Sequence, residues 1–134
     1  MLFSNLSNYK NAGLLVIRVG LGIMFIYHGL PKLTGGEETW VKLGTTTKFV
    51  GINFAPMFWG FMAAAVETLG GLLIIIGLAF RPVCLLIIIN LIVAAALHFG
   101  TGGGIEAAAH AIEDGITFLG LFIIGPGKFA IDKK

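Results

Sequence analysis

The sequence predicts an all-α integral membrane protein, a bundle of four membrane-spanning helices with a short interfacial helix in its first loop. Three observations predict it. Hydrophobic residues make up 57% of the 134-residue chain and charged residues only 12%, a balance outside that of soluble domains. Four apolar runs approach the ~20 residues that a helix needs to cross a bilayer. Proline and glycine stand at their ends, where helices start and stop. The length implies one transmembrane domain over 1–134. A formal charge of +2 with scattered basic residues excludes nucleic acid as a partner. The single Cys84 forms no CxxC pair, so electrons handled by this protein would need a bound cofactor or another subunit.

Residues 1–11 are short and polar, and the first span runs over 12–30. It is longer than a signal-peptide core, holds Arg18 and lacks a small-residue cleavage site, so it is read as a retained helix that stops at Pro31. The following connection carries Glu38 and Lys42 at i, i+4 and Trp40, which suits headgroup depth, so the interfacial helix is placed there. Pro56 opens the second span, 56–78, with Glu67 near its centre and a small-residue side that includes Gly60, Gly70 and Gly71. Arg81 and Pro82 are read as the turn into the third span, 83–99, whose polar residues are Asn90 and His98. Gly100 to Gly104 leads into the fourth, 106–125, and Trp40, Trp59 and Tyr27 are expected as interface anchors. Four spans put both termini on one side. Lys10, Arg81, Lys128, Lys133 and Lys134 against Lys32, Lys42 and Lys48 make that side cytoplasmic.

The fourth span carries the polarity. Glu106, His110, Glu113, Asp114 and Thr117 share one helical face, and an ionised group at mid-membrane costs roughly 3 kcal/mol, so that face is expected to meet protein or water. At about 1.5 Å per residue, His28, His98 and His110 all fall roughly 23 Å from the inner surface. A lower layer holds Glu67, Glu113 and Asp114 at roughly 16 to 18 Å, Asn90 at roughly 12 Å and Arg18 at roughly 9 Å. The plainest reading of the lower layer is a structural ion pair of Arg18 with Glu67 or Asp114. The plainest reading of each histidine alone is a satisfied hydrogen-bonding group. Three at one depth suggest more: with Glu113 or Glu106 they could ligate a metal, two could hold a haem, or His28, His98 and His110 could contact a quinone while Glu113 and Asp114 relay protons.

Several stretches together carry a resemblance: RVGLGIMFIYHGLPKL in the first helix, AVETLGGLLIIIGL and the turn FRP in the second, His98 ending the third, and the closing GPGKFAID. They resemble the DoxX family of small bacterial membrane proteins. The resemblance implies a four-helix inner-membrane protein with its N-terminus inside, related to the membrane subunit of an archaeal thiosulfate:quinone oxidoreductase and associated with oxidoreductase complexes. Residue by residue, it implies recurrent roles for Arg18, Gly29, Lys32, Glu67, Gly71, His98 and Asp132. His28, Glu113 and Asp114 rest on the depth argument alone.

The expected function is that of a membrane subunit of an oxidoreductase complex, with a quinone, or else a metal, held between the helices near the outer face. The alternative is a non-catalytic scaffold or assembly partner of a larger complex. A proton-linked carrier is a third class, disfavoured by the lack of an internal repeat. Besides the lipid bilayer, partner subunits or further copies of the chain are expected.

Overall fold

The structure, a computed structural model, describes residues 2–133. Met1 and Lys134, the latter counted above among the basic residues of the termini, lie outside it. A 3-10 helix at Ser4–Tyr9 runs directly into α1 (Lys10–Thr34). The first loop holds the short α2 (Glu37–Gly44) and a 3-10 helix at Thr45–Val50, and then come α3 (Pro56–Ile76), α4 (Phe80–Gly100) and α5 (Gly104–Ile124). The four long helices are each long and apolar enough to cross a membrane, and no strand occurs among the described residues.

Two boundaries differ from expectation. Pro31 lies inside α1, which continues to Thr34. Proline removes one backbone donor near the helix end, and the chain tolerates that loss because the last turn is held in other ways. Thr34 Oγ1 donates to the Leu30 carbonyl at 2.9 Å, and Trp40 Nε1 donates to the carbonyls of Lys32 and Leu33 at 3.1 and 3.3 Å. Trp40 is therefore a cap on α1 as well as an aromatic of the loop. Arg81 and Pro82 likewise belong to α4, not to a turn. The turn is Gly77 to Ala79, where Gly77 at φ +71° ends α3 by donating to the Leu73 carbonyl at 2.8 Å, as glycine at such an end commonly does. The expected pair Glu38 with Lys42 is not formed. Both side chains are exposed, where such a pair gains little.

The helices pack in the order α1, α3, α4, α5, with α2 laid against α3. No Cα of α1 comes within 8 Å of one in α5, and the two meet through Phe25 and Phe118, edge to face at 5.1 Å between ring centres. The core is that pair with Ile74, Phe80, Val83, Cys84, Ile87 and Leu121. Glycines set the α1–α3 crossing: a Cβ on Gly71 would stand 2.7 Å from the Gly22 carbonyl oxygen, and one on Gly29 would stand 2.7 Å from the Thr68 backbone nitrogen. At α2, a Cβ on Gly60 would collide with the Trp40 carbonyl, and one on Gly44 with that of Pro56.

Arg18 does not make the expected ion pair with Glu67 or Asp114. It is 1% exposed, and its guanidinium donates to four carbonyls: Ile74 at 3.0 Å, Ile75 at 2.6 Å, Pro126 at 3.1 Å and Phe129 at 2.6 Å. The end of a helix exposes carbonyls with no donor of their own, and a guanidinium with five donors in a fixed plane suits several at once. Arg81 treats the end of α5 in the same way, donating to the Phe122 carbonyl at 3.0 Å. The tail thus crosses under the bundle. The Lys128 backbone nitrogen donates to Asn11 Oδ1 at 2.9 Å, which places both ends of the chain at one end of the bundle.

Asp132 completes this clasp by capping α4, accepting from the backbone nitrogens of Ala79 at 3.1 Å and Phe80 at 2.7 Å. Ala79 has φ +49°, so those bonds hold a backbone turn that alanine disfavours. Asp132→Ala is expected to lower stability by about 1–2 kcal/mol. Thermal unfolding of the purified protein checks this, and Asp132→Asn should recover part of the loss.

Candidate functional site

At the end of the bundle away from the termini, α3 and α4 do not close on each other. The 3-10 helix at Thr45–Val50 packs against both. Phe49 fills the space beside Gly100, whose missing side chain lets the loop seat there. Between these elements lies a cavity of about 380 Å³, within the ~300–1,000 Å³ usual for ligand pockets. Its walls are apolar, from Leu43, Ile52, Met62, Val66, Leu86, Ile89, Val93 and Leu97. Met62, Leu86 and Ile89 are also exposed on the outer surface, so the cavity opens on the flank that faces lipid.

A few polar groups converge on it. Lys32 reaches back from the extra turn of α1 and binds both oxygens of Glu67, at 3.1 and 3.0 Å. This is the ion pair of the bundle, and it replaces the expected one with Arg18. Its partners are matched in place because Gly29, one turn before Lys32, brings α1 against Glu67 and Thr68. Asn90 donates to the Ala63 carbonyl at 3.2 Å, which ties α4 to α3 across the cavity and leaves its amide oxygen without a donor among the described residues. Trp59 also lines the cavity, and its indole nitrogen is buried with no acceptor among the described residues. His98 lines the same cavity from the last turn of α4, its ring free of protein hydrogen bonds among the described residues. The arrangement offers an imidazole beside an apolar slot, with the Trp59 ring and a paired amine and carboxylate also in its wall. That suits a flat, largely apolar molecule carrying hydrogen-bond acceptors.

The expected cluster of three histidines is not formed. All three sit toward the end of the bundle away from the termini, but only His98 lines the cavity. His28 is exposed on α1, beside Tyr27 at 5.4 Å between ring centres. His110 is exposed on α5, its side chain 78% accessible, and its neighbour is Asp114 of the same helix at 3.4 Å. Glu113 is exposed on the same face. Helices that agree in depth can still disagree in rotation, and here α5 buries Ala108, Ala111, Phe118 and Leu121 and turns its polar stripe outward. No three His, Cys, Asp or Glu side chains among the described residues are placed to hold a metal ion. The residues present therefore do not fit the metal site or the two-histidine haem, and Glu113 and Asp114 lie outside the cavity that they were expected to serve with protons.

Sequence reasoning missed Trp59 and the partnership of Lys32 with Glu67. The sequence around Trp59 suggests an interface anchor and carries nothing that marks an unpaired donor. Pro31 suggests a helix end that leaves Lys32 in the loop, whereas α1 carries it in its last turn. Both Lys32 and Glu67 were nevertheless among the positions implied by the resemblance, and opposite charges in two adjoining apolar helices were the available signal.

The DoxX family profile matches residues 13–100, which include α1 from its second turn, the first loop, α3 and all of α4. A Bacillus subtilis (strain 168) protein named "Putative oxidoreductase CatD" is 40% identical over 80 residues, 60% of this chain and 54% of that protein. The chain thus aligns with about half the length of that relative. "Inner membrane protein YphA" of Escherichia coli (strain K12) is 25% identical over 132 residues, 90% of this chain and 89% of that protein. No solved structure matches. The profile extends from the first span through His98 and takes in Arg18, Lys32 and Glu67, so the residues that line the cavity lie within the matched region, whereas Asn11, Pro126, Phe129 and Asp132 of the clasp lie outside it. With four helices apolar enough to cross a membrane and that match, this chain is a multi-pass membrane protein of the DoxX family.

Proposed function

We propose that this chain is a membrane subunit of an oxidoreductase that binds a quinone, or a similar ring-headed redox ligand, in the cavity between α3 and α4. The observation that carries the reading is the apolar cavity itself, open toward lipid, with the unbonded His98 ring in its wall and the Trp59 ring beside it. The Trp59 N–H, buried without an acceptor among the described residues, costs about 1–3 kcal/mol, which a ligand carbonyl would recover once the indole turned into the cavity. The mouth among Met62, Leu86 and Ile89 suits a molecule that arrives dissolved in the bilayer. When bound, a quinone would accept electrons, each accompanied by a proton. In this reading Trp59 and His98 hold its carbonyl oxygens, and the Lys32–Glu67 pair stands where protons would pass. Electrons come from a partner, since the chain's one thiol, Cys84, is buried and unpaired. The name of the Bacillus relative supports a redox context, and that of the Escherichia relative supports an inner-membrane location; the basic residues at the termini and the Arg81 end support a cytoplasmic side for both.

The test is a titration of the full chain in lipid nanodiscs with a short-tailed quinone, read by quenching of tryptophan fluorescence. Saturable quenching is expected, weakened about tenfold in His98→Ala, the equivalent of one hydrogen bond at ~1.4 kcal/mol. Ala94→Phe, which fills the cavity, should abolish it. Quenching that rises linearly and ignores both substitutions would remove the ligand reading and leave the scaffold alternative.

A further inference from the structure

The wall of the α3–α4 cavity presents more hydrogen-bond acceptors than donors. Thr46 and Thr47 both line it, and each commits its hydroxyl proton to the backbone. Thr46 donates to the Leu43 carbonyl at 2.7 Å, and Thr47 lies between the carbonyls of Gly44 and Ile52 at 2.8 and 2.9 Å. A hydroxyl that has given its proton can still accept. Lys32 donates to both oxygens of Glu67, so its charge is matched before a ligand arrives, and the carboxylate keeps further lone pairs. Asn90 is the decisive member. Its amide nitrogen gives one N–H to the Ala63 carbonyl at 3.2 Å, and because a carbonyl can only accept, that bond fixes which end of the amide is the oxygen. The oxygen has no donor among the described residues, yet it is not sealed. Among those residues the buried side-chain atom left unpaired is the indole nitrogen of Trp59. Trp59 is the reverse case, a donor shut off from the cavity that its ring lines. His98, when neutral, brings one donor and one acceptor and favours neither.

Resting on the reading of the cavity as a quinone-type site, we infer that it selects the reduced, hydroxyl-bearing form of the ligand, a quinol, over the quinone. A quinol hydroxyl can donate to the Asn90 oxygen. A quinone carbonyl set against that oxygen leaves two acceptors facing each other with no proton between them. The quinone meets the indole donor only after Trp59 turns inward, and the quinol needs no such turn. Because a hydroxyl accepts as well as donates, His98 can hold either form. The two forms differ by two electrons and two protons, and tenfold tighter binding of the reduced one raises the two-electron midpoint potential of the bound couple by about 30 mV. The cavity therefore favours reduction of what it holds.

The test titrates the full chain in lipid nanodiscs, without oxygen, by calorimetry with three short-tailed ligands built on one ring. They are the quinone, the quinol, and the dimethyl ether of the quinol, which keeps the reduced ring and both oxygens but has no proton to donate. The quinol should bind roughly tenfold more tightly than either of the others, the equivalent of one hydrogen bond. Leucine is close to asparagine in size and cannot accept, so in Asn90→Leu the quinol should lose about that factor while the quinone loses little, and the preference should fall toward one. The thermal midpoint of that variant shows whether losing the bond to Ala63 disturbs the fold, and the three-ligand comparison on the parent chain decides without it. Equal or tighter binding of the quinone or of the ether would overturn the selection of the reduced form while leaving the cavity a ligand site. So would an undiminished preference in a folded Asn90→Leu. No saturable heat from any of the three ligands would overturn the ligand reading itself, and the selection with it.

Discussion

Replacing Arg18 with lysine is expected to lower the thermal midpoint of the purified protein by roughly 10–20 °C, a loss on the order of 4 kcal/mol. The guanidinium serves four carbonyls that belong to two separate segments, the end of α3 and the tail after α5. Hydrogen bonds from a charged donor contribute about 1.5–3 kcal/mol each, less than additively when they share one group. An ammonium is a compact charge with three donors and no planar fork, so it cannot span both segments. The carbonyls left behind have little water to turn to, which is what makes unpaired backbone in a membrane expensive. Two readouts separate this from a general loss of packing. The tail, held also by Asp132 and by Asn11, should become open to protease in Arg18→Lys, and the quinone titration proposed for the cavity at the other end of the bundle should be unchanged. A variant as stable as the parent, with a protected tail, would show that the clasp is not what holds the chain ends.

The second large effect is expected from Gly29→Ala, which should destabilise by about 3 kcal/mol and weaken ligand binding at the same time. A Cβ there would stand 2.6 Å from the Glu67 Cβ and 2.7 Å from the Thr68 backbone nitrogen. These are atoms of the opposing helix near its axis, not the free end of a flexible side chain, so α1 must move away from α3. Lys32 lies three residues further along α1 and would lose its bond to Glu67 in that movement. Gly20→Ala is the control on the same helix. Nothing lies within 4 Å of its Cβ position, and alanine is the better helix former by about 1 kcal/mol, so that change should be neutral or mildly stabilising. Thermal midpoints and quinone titrations on both variants check the pair. Equal effects at the two glycines would remove the close α1–α3 crossing as the support of the cavity.

These two positions also show how far the sequence could be read. Arg18 was recognisable as a residue that must be buried and partnered, because a charge in an apolar helix demands it. Its partners were not recognisable, since carbonyls carry no side-chain signature and two of them lie 108 and 111 residues away. A nearby acid was the natural expectation. The energetic need was met instead by backbone carbonyls at the end of α3 and in the tail, and carbonyls exist in every sequence alike. Glu67 shows the converse: its true partner, Lys32, was charged and visible, but one proline placed it outside the helix that carries it.

α5 separates the two kinds of information most clearly. The sequence by itself determined that Glu106, His110, Glu113 and Thr117 share a stripe, because helical periodicity is local and needs nothing but the order of residues. It also determined the four spans, since transfer from water to lipid depends on composition over about 20 residues and not on neighbours. Which way the stripe turns was decided by tertiary structure alone. Rotation about a helix axis follows from which face fits its neighbours, and Phe118 against Phe25, with Ala108 and Ala111 buried, drew the apolar side inward. The cavity is likewise a tertiary product. It exists because a glycine crossing, a loop seated on two helices and one lysine beyond a proline meet at the same height, and no local pattern records a meeting of separate segments.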